Sequence, residues 1–139
     1  MAHKYTSHKS SLFLLELILA ILFFSIASAV CVQLFVKSHL LSKQAEILSV
    51  AVNECSDAAE IIYSADTETE VMERLKNAYP KAKNINNQLT IPYSATHQTV
   101  IDYQFSTNSA GLKAYIVFEE ISSAREIYHL SIEHQLTEE

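Results

Sequence analysis

An apolar run near the N-terminus constrains this chain more than any other feature. Residues 12–36 read LFLLELILAILFFSIASAVCVQLFV, and Glu16 is the one charged residue among them. About 20 consecutive apolar residues are enough for a helix to cross the hydrocarbon core of a bilayer. Neither Gly nor Pro interrupts the run. The sequence therefore predicts a single transmembrane helix over residues 12–36.

The rest of the chain has the composition of a water-exposed domain with an acidic surface. From Ser38 onward it contains 15 acidic and 7 basic residues. Such a surface lacks the patch of Lys and Arg that neutralises phosphates, so we expect no direct nucleic-acid partner.

The polar N-terminal residues MAHKYTSHKSS allow three interpretations of the apolar run. A secretory signal peptide would be cut after Ala29, where Ala27-Ser28-Ala29 resembles a cleavage site. A plain membrane anchor would stay uncut, and a prepilin leader would be cut before the run. The run continues past Ala29 and contains Glu16, and both facts count against the signal peptide. Lysines lie on both sides of the run, so charge alone does not set the orientation.

Glu16 is the most informative residue of the run. A carboxylate inside a membrane segment is costly and by default marks a function. The alternative is that Glu16 lies near the membrane surface and extends its side chain to water.

Residues 11–17, SLFLLEL, resemble the prepilin cleavage motif of type IV pilins, pseudopilins and competence pilins. In that family a small residue, usually Gly, precedes the cut, and Glu is the fifth residue after it. Ser11 occupies the position of the Gly, Leu12 replaces the usual Phe, and Glu16 matches the Glu.

The resemblance implies a structural subunit rather than an enzyme. A prepilin peptidase would remove residues 1–11 by cutting after Ser11. The freed amine of Leu12 would pair with Glu16 of a neighbouring pilin-like subunit during assembly. The N-terminus would be cytoplasmic, and residues 65–139 would form a small extracytoplasmic domain. The product would be a minor pilin or pseudopilin of a type IV pilus-like, type II secretion or competence filament.

An amphipathic segment, residues 37–64, is expected to continue the helix beyond the membrane. Its apolar residues are spaced alternately by four and three positions, which is a seven-residue repeat. The repeat predicts a packing stripe that covers the chain's own sheet and contacts neighbouring helices in part. The stripe consists of Leu41, Ala45, Leu48, Val52, Cys55, Ala59 and Ile62.

The remaining residues predict an α+β domain. Thr67 and Glu70 fit a capping box for a short second helix that ends before Pro80. Residues 81–87 are polar and predict a loop. Four segments of alternating polarity then predict a one-sided antiparallel meander, with a turn at residues 108–111. Pro92 cannot donate to a strand ladder and therefore predicts that the first strand is an edge strand.

No catalytic, cofactor or metal site is predicted. The six histidines show no metal-ligand spacing, and a chain with a single glycine has no phosphate-binding loop. The alternative to a filament subunit is a single-pass, membrane-anchored extracytoplasmic module with a binding or regulatory role, which is neither cleaved nor assembled.

Overall fold

The computed structural model describes residues 6–106 and 111–137, with side chains from Ser10 onward. A long helix, α1 (Thr6–Tyr63), is followed by a short helix, α2 (Glu68–Ala78). A five-stranded antiparallel sheet completes the chain. The predicted α+β fold is confirmed.

The sheet is a simple meander in which each strand pairs with its neighbour in sequence. Its order is β1-β2-β3-β4-β5, and all four pairings are antiparallel. The predicted turn at residues 108–111 lies mostly outside the described residues, and Gly111 begins β4. The strands are β1 (Lys83–Ile85), β2 (Gln88–Pro92), β3 (His97–Ser106), β4 (Gly111–Glu120) and β5 (Arg125–Gln135).

The number of strands differs from the prediction of four, because residues 81–87 are not all loop. Lys83–Ile85 forms a strand that pairs with the start of β2. Asn86 and Asn87 connect the two strands with φ angles of 52° and 63°. Asn tolerates positive φ better than other non-glycine residues, and two such residues make a tight hairpin turn. The hairpin was not predicted because a polar segment is typical of a loop.

The predicted position of the first strand was also wrong. The strand that contains Pro92 lies between β1 and β3, so it is not the edge strand. Pro92 is tolerated because β1 reaches only as far as Thr90 in the ladder. No strand in the described residues requires a hydrogen bond from Pro92 on that side.

The chain divides into two units, Met1–Gln44 and Ala45–Glu139, and α1 contributes to both. The second unit contains the hydrophobic core. One face of the sheet supplies alternate residues, including Ile101, Ile116 and Phe118, each at most 1% exposed. The C-terminal part of α1 packs against them with small side chains. These are Ala51, Cys55, Ala58 and Ala59, joined by Ile62, and Ala65 just after the helix belongs to the same core.

The start of α2 is capped as the sequence predicts. Thr67 Oγ1 accepts a hydrogen bond from the backbone N–H of Glu70. The Glu70 carboxylate accepts one from the backbone N–H of Asp66 and also pairs with Arg74. Val71 and Leu75 bury the inner face of the helix.

We expect the interactions of Glu70 at this cap to make the stability of the fold vary with pH in the acid range. The Asp66 N–H and then Arg74 lower the pKa of Glu70 below its usual 4.5. The stabilisation is therefore present above about pH 4.5 and is lost as the pH falls through the lowered pKa. In Glu70→Gln, the free energy of unfolding should fall less steeply below pH 4.5 than in the unmodified chain. Urea unfolding between neutral and acid pH measures the slope.

Glu73→Gln is the matched control, because Glu73 is exposed on the same helix and forms no ion pair in the described residues. Equal slopes for both variants would contradict the role assigned to Glu70.

Strand β5 returns to the junction of the two helices. His134 Nε2 lies 2.8 Å from the carbonyl oxygen of Ala65. The backbone N–H of Thr137 donates to the carbonyl of Asp66 over 2.7 Å. The ring of Tyr63 packs edge-on against that of His134. The end of β5 and the residues just after it therefore hold the junction between α1 and α2 in place.

Candidate functional site

The apolar run forms a continuous helix whose side chains are all exposed. Residues Ser10–Tyr63 lie in one helix that is long and apolar enough to cross a membrane, and none of its most apolar window is buried within the chain. Phe24 and Phe35 are 80% and 78% exposed. Such a surface is suited to lipid or to contact with other apolar helices.

Ser11, Leu12 and Glu16 lie on this exposed helix. Glu16 follows Leu12 by four positions, which is about one turn and 6 Å along the axis, so the two lie on the same face. Glu16 makes no ion pair with any described residue. The first unit thus presents a carboxylate, within an apolar surface, one turn away from the bond that the motif predicts to be cut.

Another polar side chain of the run is satisfied within the helix itself. Ser25 Oγ donates to the carbonyl oxygen of Ile21 over 2.9 Å. A hydroxyl that bonds to the preceding turn needs no partner in lipid. A carboxylate has no such option, because the backbone N–H groups in the middle of a helix are already used. Glu16 therefore requires a cation, a proton or water from outside the helix.

The predicted stripe is divided by the structure into a buried part and an exposed part. Cys55, Ala59 and Ile62 lie in the core, and Val52 is half-buried. The three remaining members, Leu41, Ala45 and Leu48, are exposed. Their packing against neighbouring helices stays a prediction.

The buried face of α1 includes residues that the seven-residue repeat missed. Ala51 and Ala58 are fully buried, Ile47 packs beside them, and Ala65, two residues beyond the helix, is fully buried as well. An α-helix repeats every 3.6 residues, so a straight helix drifts away from a strict seven-residue pattern. The alanines between positions 51 and 65 were the available signal, because small side chains allow a sheet to approach the helix closely.

Two titratable groups, one in the core and one beside it, have raised pKa values. Burial, and then Glu54, raise the pKa of the Cys55 thiol to about 11. Burial, followed by Glu54 and Asp57, raises the pKa of Tyr79 to about 12. Both groups stay protonated at neutral pH, so Cys55 is a poor nucleophile.

The described residues contain no group of three His, Cys, Asp or Glu side chains placed to hold a metal ion. Two of the histidines have other partners. His134 contacts the Ala65 carbonyl, and His129 contacts Glu126.

No family model, no curated protein and no solved structure matches this chain.

Proposed function

We propose that this chain is a structural subunit, a minor pilin or pseudopilin, of a type IV pilus-like, type II secretion or competence filament. A prepilin peptidase cuts after Ser11, and the exposed apolar helix then joins a bundle of similar helices. The domain that follows is carried outside the membrane. The observation that supports this most is Glu16, a charged side chain one turn from Leu12 on an otherwise apolar, exposed helix.

In the proposed filament the charge of Glu16 is neutralised by an amine that cleavage creates. Cleavage before Leu12 creates an α-amine, which is cationic at neutral pH. Opposite charges about 4 Å apart attract by roughly 4 kcal/mol at an effective dielectric constant of 20. Much of this is offset by desolvation of both groups. The pairing therefore acts mainly on register, because a misaligned subunit leaves Glu16 unpaired in lipid.

The exposed part of the stripe supports the same proposal. Leu41 and Leu48 are 64% and 45% exposed. Burying a leucine side chain contributes about 1.5–3 kcal/mol. In the proposed filament, the helices of neighbouring subunits bury these leucines.

The alternative is an uncut membrane anchor that carries a binding or regulatory module. The observation in its favour is that Ala45–Glu139 already forms a compact unit with its own core. In this case Glu16 extends to water, and changing residues around Ser11 has no effect.

The mature N-terminus distinguishes these possibilities. We expect mass spectrometry of the chain from its native host to give Leu12 as the first residue. Ser11→Gly should be cut at least as completely, and Ser11→Glu should leave most of the chain uncut, because the motif requires a small residue there.

Ser10→Glu is the control for the added charge and should be cut normally. An intact N-terminus would favour the anchor, and a chain beginning at Val30 would show that the run is a signal peptide. Either result would overturn the proposal.

A further inference from the structure

Two charged residues of α1 are separated by the thickness of a membrane. Between Glu16 and Lys37 lie the 20 residues 17–36, and none of them is charged. A helix rises 1.5 Å per residue, so these residues span about 30 Å, which is also the thickness of the hydrocarbon core of a bilayer. The whole apolar run, residues 12–36, spans about 37 Å and is too long to cross that core upright.

Both charged side chains are free to reach a membrane surface. Glu16 and Lys37 are exposed on α1, and neither forms an ion pair with a described residue. A charged side chain inside the hydrocarbon is costly, whereas one at its boundary extends to water. Lysine at this level is a usual interfacial anchor, because its ammonium lies beside the lipid headgroups. The two residues therefore favour opposite surfaces of one bilayer.

The helix has two ways to fit a bilayer. If the whole run is centred on its middle residue, Phe24, or tilts until it fits, Glu16 is drawn into the hydrocarbon. If residues 17–36 are centred instead, both charges stay at the boundaries and residues 12–15 lie in the headgroup layer. An apolar helix surface keeps part of its contact with lipid at that level. An immersed carboxylate has no partner on its own helix, so the second arrangement is favoured.

We infer that this helix lies in the membrane with Glu16 at one hydrocarbon boundary and Lys37 among the lipid headgroups at the other. The bond between Ser11 and Leu12 then lies about 6–8 Å outside the hydrocarbon, at the outer limit of a headgroup layer about 5–7 Å thick, where a protease at the membrane surface reaches it. The inference rests on the apolar run crossing a bilayer, which its length and composition allow. It depends neither on cleavage nor on filament assembly, in which the amine of Leu12 would replace the water around Glu16.

The depth of single positions tests this arrangement. The chain contains no Trp, so one introduced Trp reports on one position without background fluorescence. Phe13 and Phe35 lie 11 positions before and after Phe24, and all three side chains are exposed. The variants Phe13→Trp, Phe24→Trp and Phe35→Trp of the full chain are placed in vesicles of phosphatidylcholine and phosphatidylglycerol. Bromine atoms on the acyl chains quench the fluorescence of an indole that lies within the hydrocarbon.

We expect the strongest quenching at position 24, less at position 35 and the least at position 13. Position 35 lies about 3 Å inside the hydrocarbon and position 13 about 4–5 Å outside it, so quenching should differ about two-fold or more between them. A run centred on Phe24 gives equal quenching at positions 13 and 35. That result would overturn the inference, and so would weak quenching at position 24.

Replacing the charges tests their separate roles. Added to Phe13→Trp, Glu16→Gln should raise the quenching at position 13 to about that at position 35, because a neutral amide lets this end enter the hydrocarbon. Glu46→Gln, ten residues beyond the run, should leave it unchanged. Added to Phe35→Trp, Lys37→Leu should raise the quenching at position 35. An unchanged value for Glu16→Gln or Lys37→Leu would contradict the role of that residue. The vesicles contain no peptidase, so failure here leaves the proposed cleavage and assembly to their own tests.

Discussion

Glu16→Gln should reduce the amount of assembled filament at least ten-fold while the chain still enters the membrane. The amide keeps the size of the side chain and removes its charge, so a single helix enters lipid more easily. The proposed attraction to the amine of Leu12 on a neighbouring subunit should be lost with it. A net loss of about 1.4 kcal/mol per subunit corresponds to ten-fold in an equilibrium constant, and every subunit added repeats the loss. Immunoblots of sheared surface material measure the assembled filament, and immunoblots of the membrane fraction measure how much of the chain enters the membrane.

Glu46→Gln is the control for this experiment. Glu46 is exposed on the same helix but lies beyond the apolar run, so its replacement should leave assembly unchanged. The cut after Ser11 should be checked in the same samples, because loss of processing also prevents assembly. Filaments of Glu16→Gln at the unmodified level would contradict the proposed pairing.

Ile116→Ala should destabilise the second unit by about 2–5 kcal/mol, the usual cost of removing a buried isoleucine side chain down to the β-carbon. Ile116 is completely buried at the centre of the sheet, between Ile101 on β3 and Leu130 on β5. A small domain has a total stability of about 5–15 kcal/mol, so this loss is a large share. Urea unfolding of the full chain in detergent, followed by circular dichroism, gives the difference.

Ile121→Ala is the same chemical change at an exposed position. The Ile121 side chain is 44% exposed in the turn between β4 and β5, and its replacement should cost at most about 1 kcal/mol. Similar losses for both variants would mean that the β3–β4–β5 face is not the core of the unit.

The long elements could be predicted because their patterns are local. The apolar run, the capping box of Thr67 and Glu70, and the alternation on β3 and β4 each determine structure within a few residues. The β1–β2 hairpin was missed because the pairing of a three-residue strand depends on β2, and Asn86-Asn87 alone gives a weak signal of it.

The exact buried face of α1 could not be predicted, because it depends on where the helix contacts the sheet. Cys55 and Ile62 belong both to the predicted stripe and to the core, whereas Leu48 is in the stripe and exposed. Hydrophobicity alone favours Leu48 over Ala58. Close contact between helix and sheet favours the smaller residue, and only the three-dimensional packing shows where that contact occurs. The pairing of Glu16 with an amine stays a prediction.

The contacts between β5 and the helix junction set an order of events during folding. Each hairpin of the sheet can close as soon as both of its strands are free to fold, because the two strands are neighbours in sequence. The hydrogen bonds that join Ala65 to His134 and Asp66 to Thr137 wait for the last strand. Until then the nascent chain exposes the apolar faces of α1 and the sheet, and it is in this interval that chaperones and proteases have access to it.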